Sequence, residues 1–233
     1  MARHRVDDHF RPPVWRQSPW LRPIAGPAAR FDAHESWPEV QDYATPGLPV
    51  RFVVQTAPVA GYDAAVALRG EVPTRPRCWH DFFNAMVWCA FPRAKLALHR
   101  RQLAVADPAR PGRTPAQDRL AILDEGGLLL IAPAERLPAL DAAIRAHEPV
   151  HRLAAPPPLP PHRAVAFGHA LHEHVVLGAA PVRAAAVLVP AEGLQGHDAT
   201  DMALDAWLSD HLDRGADLGV GRLGYPIWPL APA

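Results

Sequence analysis

Lysine is almost absent from this chain: Lys95 stands alone against 23 arginines. Asparagine is equally scarce, with Asn84 its single copy, and serine is confined to Ser18, Ser36 and Ser209. None of the three serines sits in a recognisable catalytic setting, and no Gly-x-Ser-x-Gly elbow, Gly-rich phosphate loop or Cys-x-x-Cys pair occurs, so serine catalysis, P-loop chemistry and thiol-based metal binding are excluded as first readings. Cysteine is limited to Cys78 and Cys89. In a reducing compartment they read as two small thiols rather than a disulfide. Net charge is also missing, with 24 basic and 24 acidic residues, so no global field draws the chain to nucleic acid or to an anionic membrane. No apolar run is long enough to span a bilayer, and the N-terminal MARHRVDDHFRPP lacks the apolar core of a signal peptide. The expected location is cytoplasmic, with no membrane partner.

What is abundant is proline, at 28 of 233 residues, which predicts stiff connections and sharply ended helices. The length predicts a sizeable core and the 49% apolar fraction a globular protein. The fold class expected is α+β, mostly helical, with a small sheet of short strands. Residues 1–48, carrying Trp15, Trp20 and Trp37, read as an irregular Pro/Trp-rich wrap with a short helix near Pro38–Tyr43. Residues 49–233 read as one domain, crossed by the polyproline-like Ala154–Pro161.

Along the chain, Val50–Gln55 is a strand candidate, and Tyr62–Leu68 a second between Gly61 and Gly70. A helix from His80 to Phe91 is ended by Pro92, which itself opens another helix to about Leu103. Thr114, Pro115 and Gln117 form a capping-box signature for a helix to about Asp124, stopped by Gly126-Gly127 before a strand at Leu128–Ala132. Helices are expected over 134–147, 163–178 and 198–214, the last capped by Asp198 or Thr200 and stopped by Gly215. A strand is expected over 183–189, and the tail from Gly219, with Tyr225 and Trp228, reads as extended.

The candidate site lies at the proline corner. Phe, Tyr, Met, Ile, Asn and Lys together number 20 of 233 residues, yet six of those 20 fall between His80 and Lys95. In so Arg-rich a chain, Asn84 and Lys95 mark positions where a carboxamide and a compact amine resist replacement. Helical spacing puts His80, Asp81, Asn84 and Trp88 on one face. The catalytic candidates are therefore His80, Asp81, Asn84 and Lys95. Arg77, Arg93, Lys95 and Trp88 are the candidate substrate-binding residues, within a basic group that includes Arg75, Arg100 and Arg101 and suits an anionic ligand. His169 and Glu173, four apart, can ligate one metal ion, joined by Asp124 and Glu125 before the double glycine; a divalent metal is the candidate cofactor. The leading function is an enzyme, first a metal-dependent hydrolase of a phosphoester or similar anionic substrate. The alternatives are a non-catalytic module for an anionic ligand or nucleic-acid phosphate, and a structural scaffold with the corner as its nucleus.

VPTRPRCWHDFFNAMVWCAFPRAKLAL, the DEGG turn and FGHALHE occur in this order and resemble the bacterial domain-of-unknown-function family numbered 3025, over roughly residues 60–230. The matching positions are His80, Asp81, Asn84, Trp88, Phe91, Pro92, Lys95, Asp124, Glu125, Gly168, His169 and Glu173. The family pattern carries Asn and His near the positions of His99 and Gln102, so the resemblance places neither of these in a catalytic role. It implies a site and no activity.

Overall fold

The computed structural model describes residues 9–59, 61–109, 111–146, 163–177, 183–194, 201–219 and 225–226. The Ala154–Pro161 crossing, Asp198, Thr200 and Trp228 lie outside them. The fold is α+β, mostly helical, with two small sheets of short strands.

After a series of 3-10 turns and helix α1 (Arg22–Ala28), the expected short helix appears as a 3-10 turn over Val40–Tyr43. Strand β1 (Arg51–Val54) follows, then α2 (Tyr62–Arg69) and β2 (Glu71–Thr74), which pairs parallel with β1. The strand expected at Tyr62–Leu68 is thus a helix. Parallel neighbours need a crossover, and Gly61 and Gly70, at φ 69° and 63°, supply the left-handed turns that bracket one short helix.

Helices α3 (Trp79–Ala90) and α4 (Pro92–Ala104) meet at the proline corner where the sequence placed them. The apolar residues of α3 are buried around most of its circumference, as fits a central helix. Phe10, Trp15, Trp37 and Phe31 pack on it around Trp79 and Phe82, with Phe10 stacked on Trp79 at 5.3 Å. Pro92 opens α4, and the Asp205 carboxylate accepts from the Ala94 amide at 2.7 Å, supplying from another helix the cap that Phe91 lacks.

Helix α5 (Pro115–Gly126) begins with the predicted Thr114/Gln117 capping box and runs two residues past Asp124. It leads into β3 (Gly127–Ala132), then α6 (Leu137–Arg145), which a 3-10 turn at Ala134–Arg136 precedes. The helix expected over 163–178 is instead β4 (Arg163–Ala166) followed by α7 (His169–Leu177). β4 pairs antiparallel with β3, Leu128 opposite Ala166, and Gly168 makes the turn. The remaining elements are β5 (Arg183–Pro190), α8 (Asp201–Asp213) and β6 (Tyr225–Pro226), with Gly215 at φ 70° after α8. The larger sheet runs β4-β3-β5-β6, with β3 and β5 parallel. All six residues of β3 are buried, as a strand flanked on both edges requires.

Candidate functional site

The two-residue link between β4 and α7 is held against the end of α5 by the Phe167 and Gly168 amides, both donating to the Gly127 carbonyl at 2.9 Å. A Cβ at Gly168 would come within 2.5 Å of the Glu125 carbonyl oxygen and collide with the Gly127 amide, so only glycine permits this approach. The close contact brings the DEGG turn and the FGH segment together. Asp124 thereby meets His169, and α7 is laid along α3.

The result is one chain of ionisable and polar side chains. His80 Nδ1 lies 2.8 Å from Glu173 Oε2, and His80 Nε2 lies 2.9 Å from His169 Nε2. His169 Nδ1 faces Asp124 Oδ2 at 3.9 Å. Asp124 is ion-paired through its other oxygen with Lys95 Nζ, which also donates to Asn84 Oδ1 at 2.8 Å. Asn84 Nδ2 then donates to Tyr62 Oη at 3.3 Å. Lys95 is wholly buried, so its partners, not solvent, satisfy it.

Burial would raise the Asp124 carboxyl, but the Lys95 ammonium paired with it outweighs this and holds the group well below the ordinary aspartate range. Burial depresses His169 well below an ordinary histidine, more than the Asp124 charge restores. The Tyr62 hydroxyl is pushed far up by burial, with the Asp124 charge adding to it, and stays protonated.

These groups line or back a cleft of about 240 Å³. His80, Asp81, Asn84, Asp124, Glu125 and His169 reach its wall, as do Tyr62, Asp63, Arg75, His99, Gln102 and Arg113, which were not among the candidate site residues. Asp63 and Tyr62 were hidden by the misread α2. His99 and Gln102, set aside on the family pattern, are both buried there. Lys95, His99 and Gln102 stand at i, i+4 and i+7 on one face of α4, and that spacing is the sequence signal for this wall.

Several candidates have other roles. Asp81 accepts from the Arg75 amide at 2.6 Å and from its guanidinium at 2.9 and 2.6 Å, so it fixes Arg75 at the cleft wall instead of standing free as a base. Trp88 is fully buried, stacked on His99 at 5.6 Å and 8°, with Lys95 over its face at 5.5 Å; it supports the site from behind. Arg77 and Arg93 are exposed and do not line the cleft, and neither do Arg100 and Arg101. The guanidinium of Arg101 packs over Gly215. His172 is buried apart from the chain of groups, and burial drops it to about 3. His174 is exposed.

The candidate metal set does not converge. Asp124 is engaged by Lys95, Glu173 by His80, and Glu125 is exposed at the rim. Among the described residues no group of three or more His, Cys, Asp and Glu side chains is placed to hold a metal ion. Nor is any helix among them long and apolar enough to cross a membrane.

No curated protein and no solved structure matches the chain. Residues 50–230, which include every residue lining the cleft, match the family described as protein of unknown function (DUF3025), and the chain belongs to that family.

Proposed function

We propose that the cleft is the active site of an enzyme working by general acid–base catalysis, with His80 and His169 as a proton-carrying pair. The observation supporting this reading is the ring-to-ring contact of 2.9 Å between two imidazoles, each backed by a carboxylate, at the wall of a polar cleft. Glu173 accepts from His80 Nδ1–H, which leaves His80 Nε2 as the acceptor for His169 Nε2–H in the resting pair. His169 Nδ1, buried without a hydrogen-bond partner on the Asp124 side, is the ring nitrogen of the pair left open, and a proton taken up there once substrate reaches it lets the Nε2 proton pass to His80, where the Glu173 carboxylate balances the new charge. Because burial disfavours a charged His169, the proton is handed on instead of being stored there. The same path in reverse returns it to a leaving group.

Hydrolysis is the reaction class to test first, with water as the group deprotonated. Arg75, paired with Asp81, and Arg113 are the arginines that line the cleft; Arg77 and Arg93, expected to bind substrate, do not line it. The test is turnover of a panel of chromogenic substrates: p-nitrophenyl phosphate, its diester, p-nitrophenyl acetate and an aryl anilide. The reading predicts turnover of one class, reduced about 10²- to 10⁴-fold in His80→Gln and His169→Gln variants that keep the wild-type circular dichroism. Turnover unchanged in both folded variants would contradict it.

A further inference from the structure

The α4 wall of the cleft carries an unanswered set of acceptors. Asp63 Oδ1 lies 2.8 Å from His99 Nδ1, and a carboxylate can only accept, so the ring proton sits on Nδ1. In the neutral ring His99 Nε2 is then an acceptor. It is buried with no partner, and so is Gln102 Oε1, three residues further along the same helix. His99 and Gln102 are 1% and 3% exposed, and both line the cleft. Buried polar atoms without partners are rare in folded proteins, and two on one i, i+3 face call for a shared partner.

Charge decides what kind of donor fits. Asp63, Asp81, Asp124 and Glu125 line the cleft against Arg75 and Arg113. Arg75 is neutralised by Asp81, and Asp124 by Lys95 behind it. That leaves Asp63 and Glu125 against Arg113, a surplus of one negative charge over the fixed groups. Tyr62 adds an aromatic edge to the same corner, 5.6 Å from the His99 ring.

We propose that His99 Nε2 and Gln102 Oε1 bind the paired N–H groups of a small cationic ligand of the guanidinium or amidinium class. This names a substrate class for the same cleft and rests on that cleft being the functional site, although binding is read without turnover. A planar head with two parallel N–H bonds satisfies both acceptors at once, and its charge offsets the surplus carboxylate. An anion would leave both acceptors unmet and add to the negative charge.

The test is titration of the full chain with methylguanidine, acetamidine, acetamide, acetate and inorganic phosphate at constant ionic strength. Binding is followed by calorimetry and by the imidazole ¹⁵N resonances of labelled histidine. Methylguanidine and acetamidine should bind with Kd on the order of millimolar, as suits a bare head group, and should shift His99 Nε2. Gln102→Leu, which keeps the helix and removes the open oxygen, should weaken them about tenfold or more; His99→Phe tests the ring if it folds. Acetamide binding equally well would overturn the cationic class, and binding of phosphate or acetate alone would overturn the donor class. Unchanged affinity in Gln102→Leu, or no binding of either cation, would overturn the proposal. Methylguanidine binding retained in a His80→Gln variant that has lost turnover would separate the ligand from the acid–base chemistry, and turnover without cation binding would sink the ligand class alone.

Discussion

Lys95 sets the sharpest energetic test, because a fully buried ammonium paired with a buried carboxylate is costly to leave half complete. Lys95→Met keeps the length of the side chain and removes the charge. Asp124 then remains 8% exposed beside His169, which burial holds neutral. Breaking a buried pair by deleting one partner costs about 3–5 kcal/mol. Since 1 kcal/mol shifts Tm by ~2–4 °C in a chain of this size, the melting temperature should drop by roughly 6–20 °C. Asp124→Leu alone should be comparably damaging, since it strands the ammonium. The double variant Lys95→Met/Asp124→Leu should recover most of the loss, because replacing both charges with apolar groups removes the desolvation penalty. Urea denaturation of the four proteins closes the double-mutant cycle. Costs that simply add, or a Lys95→Met variant within about 1 kcal/mol of wild type, would refute the argument. Recovered stability without recovered turnover would mark the pair as part of a site, and recovery of both would mark it as structural.

Further outcomes follow from single positions. His172 is depressed by burial from 6.5 to about 3, so its contribution to stability is complete above pH 6.5 and is lost as pH falls towards 3. Between pH 6.5 and 5 that amounts to ~2 kcal/mol, and a folded His172→Leu variant should show an acid slope in urea midpoint that is shallower by this amount; equal slopes would contradict it. Gly168→Ala should destabilise by about 1–3 kcal/mol or more through backbone collision, while Gly126→Ala, with open space around it, should be neutral or stabilising by ~0.5–1 kcal/mol, both read by thermal melting. Asp205→Ala removes the acceptor for the first amides of α4 and should cost about 0.5–2 kcal/mol; no change in Tm would mean that the cap is dispensable.

The proline corner was legible because its signals are local: Pro92 both ends one helix and opens the next, and the rare residues crowd against it. The capping box of α5 was equally explicit. The two misread segments share a cause. Tyr62–Arg69 and Arg163–Leu177 are short and rich in residues that suit either state, and their assignment is decided by β1–β2 and β3–β4 pairing from elsewhere in the chain. Scarcity pointed to Asn84 and Lys95, which do share a hydrogen bond, but it could not show that Lys95 faces Asp124 and is closed to substrate. The arginines misled because proximity in sequence was taken as proximity in space. Arg113, which lines the cleft, sits in the loop before α5, while Arg93 lies on the outer side of α4. Gly168 was legible as part of FGH, although its reason, the approach of the Gly127 backbone, is tertiary.

The central claim is that His80 and His169 share and pass a proton, and the most direct measurement is the ¹⁵N spectrum of the imidazoles in histidine-labelled protein, assigned with His80→Gln and His169→Gln. The account predicts a protonated His80 Nδ1 held by Glu173, a neutral His169 at pH 7, and one slowly exchanging Nε2 proton between the rings that disappears in Glu173→Gln. Two independently titrating imidazoles in rapid tautomer exchange, unchanged by Glu173→Gln, would contradict it.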